Sequence, residues 1–324
     1  MPSFPTMTGR GPFSHKQRST RWIMWQAVVA LLPIGIVGIV FFAHQALMVI
    51  GISVGAAWAA DLLGRRLNRQ KTDITDASPI VTGLLLAYML PPDVPWFVPF
   101  VGALYAILIG KQLFGGLGNN PFNPVLVGRV LLQWSYPDWL NLTRYPMAID
   151  AVSSATPLHA STGATQAGLV DLSLGLHGGT IGETSALIIL LCGLYLVLRR
   201  VIDWQAPFLC LLAVFTAALL LPAPEKFAGH APYLVRNPLY HVLSGGAMLA
   251  AFFLITDPVT TPLTATGQNI FAVGVGIITV LIRFYGIYPE GVAYAVLIMN
   301  GLTPLINQVF RPKPLGYAGG NSPP

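Results

Sequence analysis

The sequence predicts an all-α integral membrane protein of about ten transmembrane helices, and three observations lead there. Charged residues make up only 9% of the 324 residues and hydrophobic ones 54%, with a mean hydropathy of +0.65. An average soluble domain carries roughly 25% charged residues, so most of this surface does not meet water. Apolar runs recur along the whole chain at lengths near the roughly 20 residues that cross a bilayer. Lysine and arginine, finally, crowd into alternate connecting segments, as they do where they set membrane topology.

Taken in order, the expected spans are 22–42, 43–63, 78–90, 94–110 and 124–134, then 181–198, 206–221, 241–255, 270–284 and 291–306. Several are short, which suggests broken or tilted helices that line protein rather than lipid. The chain therefore divides into an N-terminal segment (1–21), a first five-helix unit (22–134), a connecting loop (135–180), a second five-helix unit (181–306) and a tail (307–324). The N-terminal stretch "GRGPFSHKQRSTRW" is basic, and the apolar run after it is too long for a signal peptide, so it is expected to stay as a membrane helix.

With the N-terminus inside, thirteen Lys and Arg fall in cytoplasmic segments and four, Arg144, Lys226, Arg236 and Arg283, in outer ones, with Arg129 inside a span. Both termini are then cytoplasmic, and the 135–180 loop faces the opposite compartment. The two halves echo each other. "VTGLLLAYMLPPDVP" resembles "LSGGAMLAAFFLITDPVTTP", and "LIGKQLFGGLGNNPFNPVL" resembles "LIRFYGIYPEGVAYAVL". An odd number of spans separates the copies, so the second runs through the membrane the other way up, as in an inverted repeat.

The basic residues are scattered near span ends, which excludes a nucleic-acid footprint. Cys192 and Cys210 each sit in an apolar run, and with no CxxC spacing an iron–sulfur or zinc site held by this chain alone is not expected. The acidic residues lie in loops or at span ends; Asp61 and Glu183 read as interfacial charges that snorkel to water. A self-contained proton or sodium pump is a poor fit to that inventory.

Three stretches could carry chemistry. In "KQLFGGLGNNPFNP" (111–124), glycines and Asn-Pro steps break helices and free backbone groups that must be buried or met by a ligand. Asn120 and Asn123 could read a uracil-like edge such as a flavin pyrimidine ring, or could simply cap helix ends. In "ITDPVTTPLTATGQ" (255–268), two prolines and five threonines exclude a regular helix, and the hydroxyls either bind a ligand or cap spans. In "DAVSSATPLHASTG" (150–163), Thr156 follows Asp150, Ser153, Ser154 and Ala155. A threonine hydroxyl is a weak nucleophile, yet among small neighbours it is open to an accessory enzyme. Asp150 could ligate the metal such a transfer employs. The plain alternative is a solvated loop.

These stretches, in this order, resemble a family that takes in the D subunit of the Rnf electron-transfer complex and the B subunit of the sodium-translocating NADH:quinone reductase. The resemblance runs from "HKQRSTRWIM" through "GGLGNNPFNP", "SSATPL" and "TDPVTTPLTATGQ" to "YPEGVAYAVLIMN". It implies a urea-transporter-like fold of two inverted five-helix repeats. It also implies FMN joined through its phosphate to Thr156 by a flavin transferase, with Asp150, Ser153, Ser154 and Ala155 as recognition residues. The usual motif has glycine where this chain has Ser154, and serine is small enough for attachment to survive. A second flavin, non-covalent riboflavin, is implied near Asn120, Phe122 and Asn123. The resemblance further implies a bacterial inner-membrane location, with Thr156 on the periplasmic side. The implied partners are the other complex subunits, one of them also a covalent flavoprotein, and membrane lipid, with no nucleic acid. The implied activity is electron relay within an ion-translocating ferredoxin:NAD oxidoreductase. The chain's length and its "ATPL" favour the Rnf member of the family over the quinone-reductase member. The rival from another class is a small-solute channel, for which the Thr156 loop would have no use.

Overall fold

The computed structural model describes residues 19–69, 76–141, 168–175, 177–183, 185–222, 237–286, 288 and 290–311. Every regular element among them is helical. In the first half these are α1 (Thr20–Leu67), α2 (Ser78–Tyr88), α3 (Phe97–Leu104, continued by a π turn at Tyr105–Ile109), α4 (Pro124–Ser135) and α5 (Pro137–Leu140). They are followed by α6 (Leu169–Leu174), α7 (Ala186–Leu198), α8 (Gln205–Leu220) and α9 (Pro238–Leu243). The last are α10 (Ala247–Leu249, continued by a π turn at Ala250–Leu254), α11 (Ala265–Tyr285) and α12 (Val292–Val309). Among the described residues, four stretches are long and apolar enough to cross a membrane, Thr20–Leu67, Phe97–Phe114, Ala265–Tyr285 and Val292–Val309. Three shorter apolar helices, α2, α7 and α8, accompany them. This is a multi-pass membrane protein.

A straight α1 of 48 residues would be about 72 Å long, more than twice the roughly 30 Å hydrocarbon core. It is not straight. Ala43 leaves the helical region at φ 51°, ψ −128°, a conformation that costs a non-glycine residue about 1–3 kcal/mol. The contacts to α2 show what the break does. Tyr88 donates its hydroxyl to the Leu31 carbonyl at 2.8 Å, while Gly83 lies against the backbone of Val54. Gly83 and Tyr88 are about 8 Å apart along α2, but Leu31 and Val54 would be about 35 Å apart on a straight helix. The two arms of α1 therefore fold back on each other at Ala43. That break falls at the boundary between the first two expected spans.

Close packing of the second arm on α2 depends on Gly83. A Cβ there would sit 2.6 Å from Val54 Cα and 2.9 Å from the Ser53 carbonyl oxygen, both backbone atoms that cannot swing aside. Gly83→Ala is expected to cost about 1–3 kcal/mol through overpacking, read as a lower thermal unfolding midpoint in detergent. An unchanged midpoint would contradict the close contact.

Two sequence expectations are corrected here. Asp61 and Glu183 do not snorkel; they are 3% and 7% exposed. Asp61 accepts from Arg65 Nε at 2.6 Å and Gln112 Nε2 at 2.7 Å and pairs with Lys111 Nζ at 3.0 Å. Arg65 also bonds Asp76, whose other oxygen caps α2 through the Ser78 amide at 2.9 Å. Two acids and two bases thus neutralise one another among helices, and burying charge is tolerable only when paired and hydrogen-bonded in this way. Arg283, assigned to an outer loop by charge counting, lies within α11 and is 1% exposed.

Candidate functional site

The polar chemistry gathers around α4, because the sequence before that helix cannot be helical. Positive φ at Gly115, Gly116 and Gly118 unwinds the chain after α3, and Pro124 then restarts a helix at its first position, where a missing N–H costs nothing. Asn123 is the N-cap: its Oδ1 accepts from the Val125 amide at 3.0 Å. Its amide end reaches the Leu254 carbonyl at 3.5 Å, and its backbone N–H donates to Asn300 Oδ1 at 3.1 Å. Asn123 thus caps α4.

Asn120 differs. Its Nδ2 bonds the Phe122 carbonyl at 3.1 Å, but its buried Oδ1 has no hydrogen-bond partner among the described residues. Buried polar atoms are nearly always paired, so an unmet acceptor calls for an explanation. It borders a cavity that Asn123 also lines, together with Ser78, Thr82, Lys111, Phe252 and Asp257. Lys111, 1% exposed, donates to Ser78 Oγ at 2.6 Å and so fixes a cation in this wall. Phe122 is not part of the lining. Thr156, Asp150, Ser153, Ser154 and Ala155 lie outside the described residues.

In the threonine-rich stretch the hydroxyls of four threonines make local bonds. Thr264 Oγ1 accepts from the Gly267 amide at 3.2 Å and starts α11. Thr260 and Thr261 bond the Asp257 side chain and carbonyl at 3.1 and 2.8 Å, and Thr256 bonds the Phe252 carbonyl at 2.7 Å. Thr256 and Asp257 nonetheless border the Asn120 cavity. Sequence reasoning missed Asn300, which is 1% exposed. It ties the Asn-Pro segment to the Thr260 carbonyl at 3.2 Å from α12. Nothing in an apolar helix marks one asparagine as a tie.

At the other end of α4 lies a second, small cavity, walled by Arg129 and Gln133 of α4 and by Tyr288, Glu290 and Tyr294. Val125 borders the first cavity and Arg129 the second. Four residues of helix rise by only about 6 Å, so the two cavities are close neighbours.

A multi-pass helical membrane protein with neutralised buried charges and two cavities bordered by α4 defines the class: a membrane-embedded protein with polar side chains held among its helices. The model of the NQR2, RnfD, RnfE family matches residues 7–316. The D subunit of the Na(+)-translocating ferredoxin:NAD(+) oxidoreductase complex of Acetobacterium woodii is 40% identical, over 94% of this chain and 93% of the relative. The D subunit of the proton-translocating ferredoxin:NAD(+) oxidoreductase complex of Clostridium ljungdahlii is 38% identical, over 94% of each. The D subunit of the ion-translocating oxidoreductase complex of Cronobacter sakazakii is 36% identical, over 94% of this chain and 97% of the relative. The chain belongs to the NQR2, RnfD, RnfE family.

Proposed function

We propose that this chain is the membrane electron-carrier subunit of an ion-translocating ferredoxin:NAD oxidoreductase. In this reading FMN is esterified through its phosphate to Thr156, and a second, non-covalent flavin occupies the Asn120 cavity. The observation that carries it is the "DAVSSAT" loop at 150–156 inside a chain that matches the family over 7–316. The relatives' names, each the D subunit of such a complex, supply the assembly. Sodium appears in one relative's name and protons in another's at nearly equal identity, so the coupling ion does not follow from overall likeness.

The cavity suits a flavin. A pyrimidine-dione edge presents one N–H and two carbonyls. Asn120 Oδ1 is an acceptor waiting for an N–H, and the Lys111 ammonium, which meets Ser78 Oγ and Asp61 with two of its three protons, stands in the same wall as a donor. A flavin accepts and releases one or two electrons, while the protein tunes it by hydrogen bonds and charge. What this chain supplies is position, exclusion of water and the fixed Lys111–Asp61 charge pair. Partner subunits supply the ferredoxin and NAD chemistry, and one of them carries a further covalent flavin.

The finer fold belongs to the same proposal: ten spans in two inverted, urea-transporter-like repeats. The order supports it. The folded-back arms of α1, short α2, α3 and α4 are matched in sequence by the pair α7–α8, interrupted α9–α10, α11 and α12. With the bias of basic residues toward alternate segments, both termini are cytoplasmic and Thr156 is periplasmic in a bacterial inner membrane.

The test is flavin fluorescence of the denatured chain on a gel. Membranes from a host with the flavin transferase are expected to give a yellow-green band that a transferase-deficient host lacks. A dark band from the competent host contradicts the reading and favours a solute channel. For the second flavin, Asn120→Leu removes the unmet acceptor. Acid extracts of the purified complex are expected to lose most of their riboflavin while the covalent band keeps its intensity; undiminished riboflavin contradicts the assignment to this cavity.

A further inference from the structure

From the wall of the Asn120 cavity a row of hydrogen bonds runs outward through Lys111. Lys111 Nζ donates to Ser78 Oγ at 2.6 Å, and the Ser78 hydroxyl in turn donates to Asp76 Oδ2 at 3.1 Å. A serine hydroxyl has one donor and two acceptor sites, so it can receive from the lysine and give to the carboxylate at once. Lys111 and Ser78 are buried and line the cavity, whereas the Asp76 side chain is 14% exposed. Donor and acceptor therefore alternate from the cavity wall to the edge of the buried region, each step within the reach at which protons pass.

The charged groups around Lys111 hold this row in place. Asp61 of α1 pairs with the ammonium at 3.0 Å while accepting from Arg65 and Gln112. Arg65 also pairs with Asp76, whose Oδ1 accepts from the Ser78 amide at 2.9 Å, and Asp257 lines the same cavity. Two of the three ammonium protons are taken, and the third is left for the occupant of the cavity. Because Asp61 already neutralises the lysine, Lys111 offers an occupant little net charge. What it offers is a proton.

Resting on the reading that a second flavin occupies the Asn120 cavity, we propose that Lys111 is its proton donor and that Ser78 and Asp76 refill the lysine from the water edge. Negative charge added to a ring among helices is costly unless it is compensated. When two electrons from the ferredoxin–NAD chemistry of the complex reach the ring, an N–H bond of the Lys111 ammonium breaks. Its proton forms an N–H bond at a ring nitrogen, and the lysine is left as an amine. The amine lone pair takes the Ser78 hydroxyl proton as Ser78 Oγ takes one handed on at Asp76, which collects it from water. Arg65 keeps Asp61 paired while the lysine is neutral. On reoxidation the proton returns along the same row.

The experiment follows flavin reduction by dithionite in the whole purified complex by stopped flow, in H2O and in D2O. The phase belonging to the non-covalent flavin is the one missing from Asn120→Leu, and rates are normalised to the riboflavin recovered in acid extracts. In the wild type that phase is expected to be slower in D2O than in H2O. Ser78→Ala keeps the Lys111–Asp61 pair but cuts the row, and is expected to slow the phase roughly ten-fold or more. Ser78→Thr restores the hydroxyl and is expected to recover most of the rate together with its D2O sensitivity, which a merely structural role of the serine would not produce. Asp76→Asn, which cuts the row at its outer end, is expected to slow the phase as well and serves if Ser78→Ala does not accumulate. A wild-type phase indifferent to D2O overturns the proposal, as does a wild-type rate in Ser78→Ala or Asp76→Asn, or a Ser78→Thr no faster than Ser78→Ala. Wild-type complex without riboflavin is a different result: it removes the second-flavin reading itself, and the proposal with it.

Discussion

Replacing Thr156 with Ala is expected to abolish covalent flavin on this chain and drop ferredoxin-to-NAD electron transfer by the complex to the background of a transferase-deficient strain. Alanine has no oxygen with which to form the phosphoester, so the loss is all-or-none rather than graded. Thr156→Ser keeps a hydroxyl and is expected to retain part of both signals. Activity assays alongside band fluorescence check this, with co-purification of the other subunits showing that assembly survives. Full electron transfer through Thr156→Ala would mean that electrons bypass this residue.

The second large effect concerns stability. Arg283 is the brace of the broken segment between α9 and α10, where chain direction changes and helix carbonyls lose their partners. Its guanidinium donates to the carbonyls of His241, Ser244 and Gly245, the latter two at 2.9 Å, and to that of Glu290 at 3.1 Å. Each buried acceptor left unmet costs about 1–3 kcal/mol, so Arg283→Met is expected to lose several kcal/mol. That corresponds to a fall of about 10 °C or more in unfolding midpoint, or to failure to accumulate in the membrane. Arg283→Lys keeps the charge but not the planar fork, and an intermediate loss is expected. A midpoint for Arg283→Met within a degree or two of wild type would show that the carbonyls find other donors.

Local chemistry was legible in the sequence. Apolar length gave the long helices, and the boundary between the first two spans coincides with the break at Ala43. Asn-Pro at 123–124 marked the start of α4 because proline and a side-chain cap work only there. The sequence left two readings open for the asparagines; in the structure Asn123 caps α4, Asn120 keeps an unmet acceptor, and both line the same cavity. Long-range pairing was not legible. A single carboxylate at a span end looks like a snorkelling charge. Asp61 is buried because Lys111 and Gln112 come to it from some fifty residues away, and no periodicity encodes that meeting. Arg283 is satisfied largely by carbonyls, which every residue carries and no sequence pattern marks. The two-cavity arrangement along α4 follows from which helices pack around it, so it emerged only with the fold.

The central claim is a bond between one side-chain oxygen and a flavin phosphate, and intact peptide mass reads it directly. The peptide spanning 150–163, taken from active complex, is expected to carry the mass of one FMN less one water, with fragmentation placing the addition on Thr156. The same peptide recovered from active complex wholly at its unmodified mass would contradict the account.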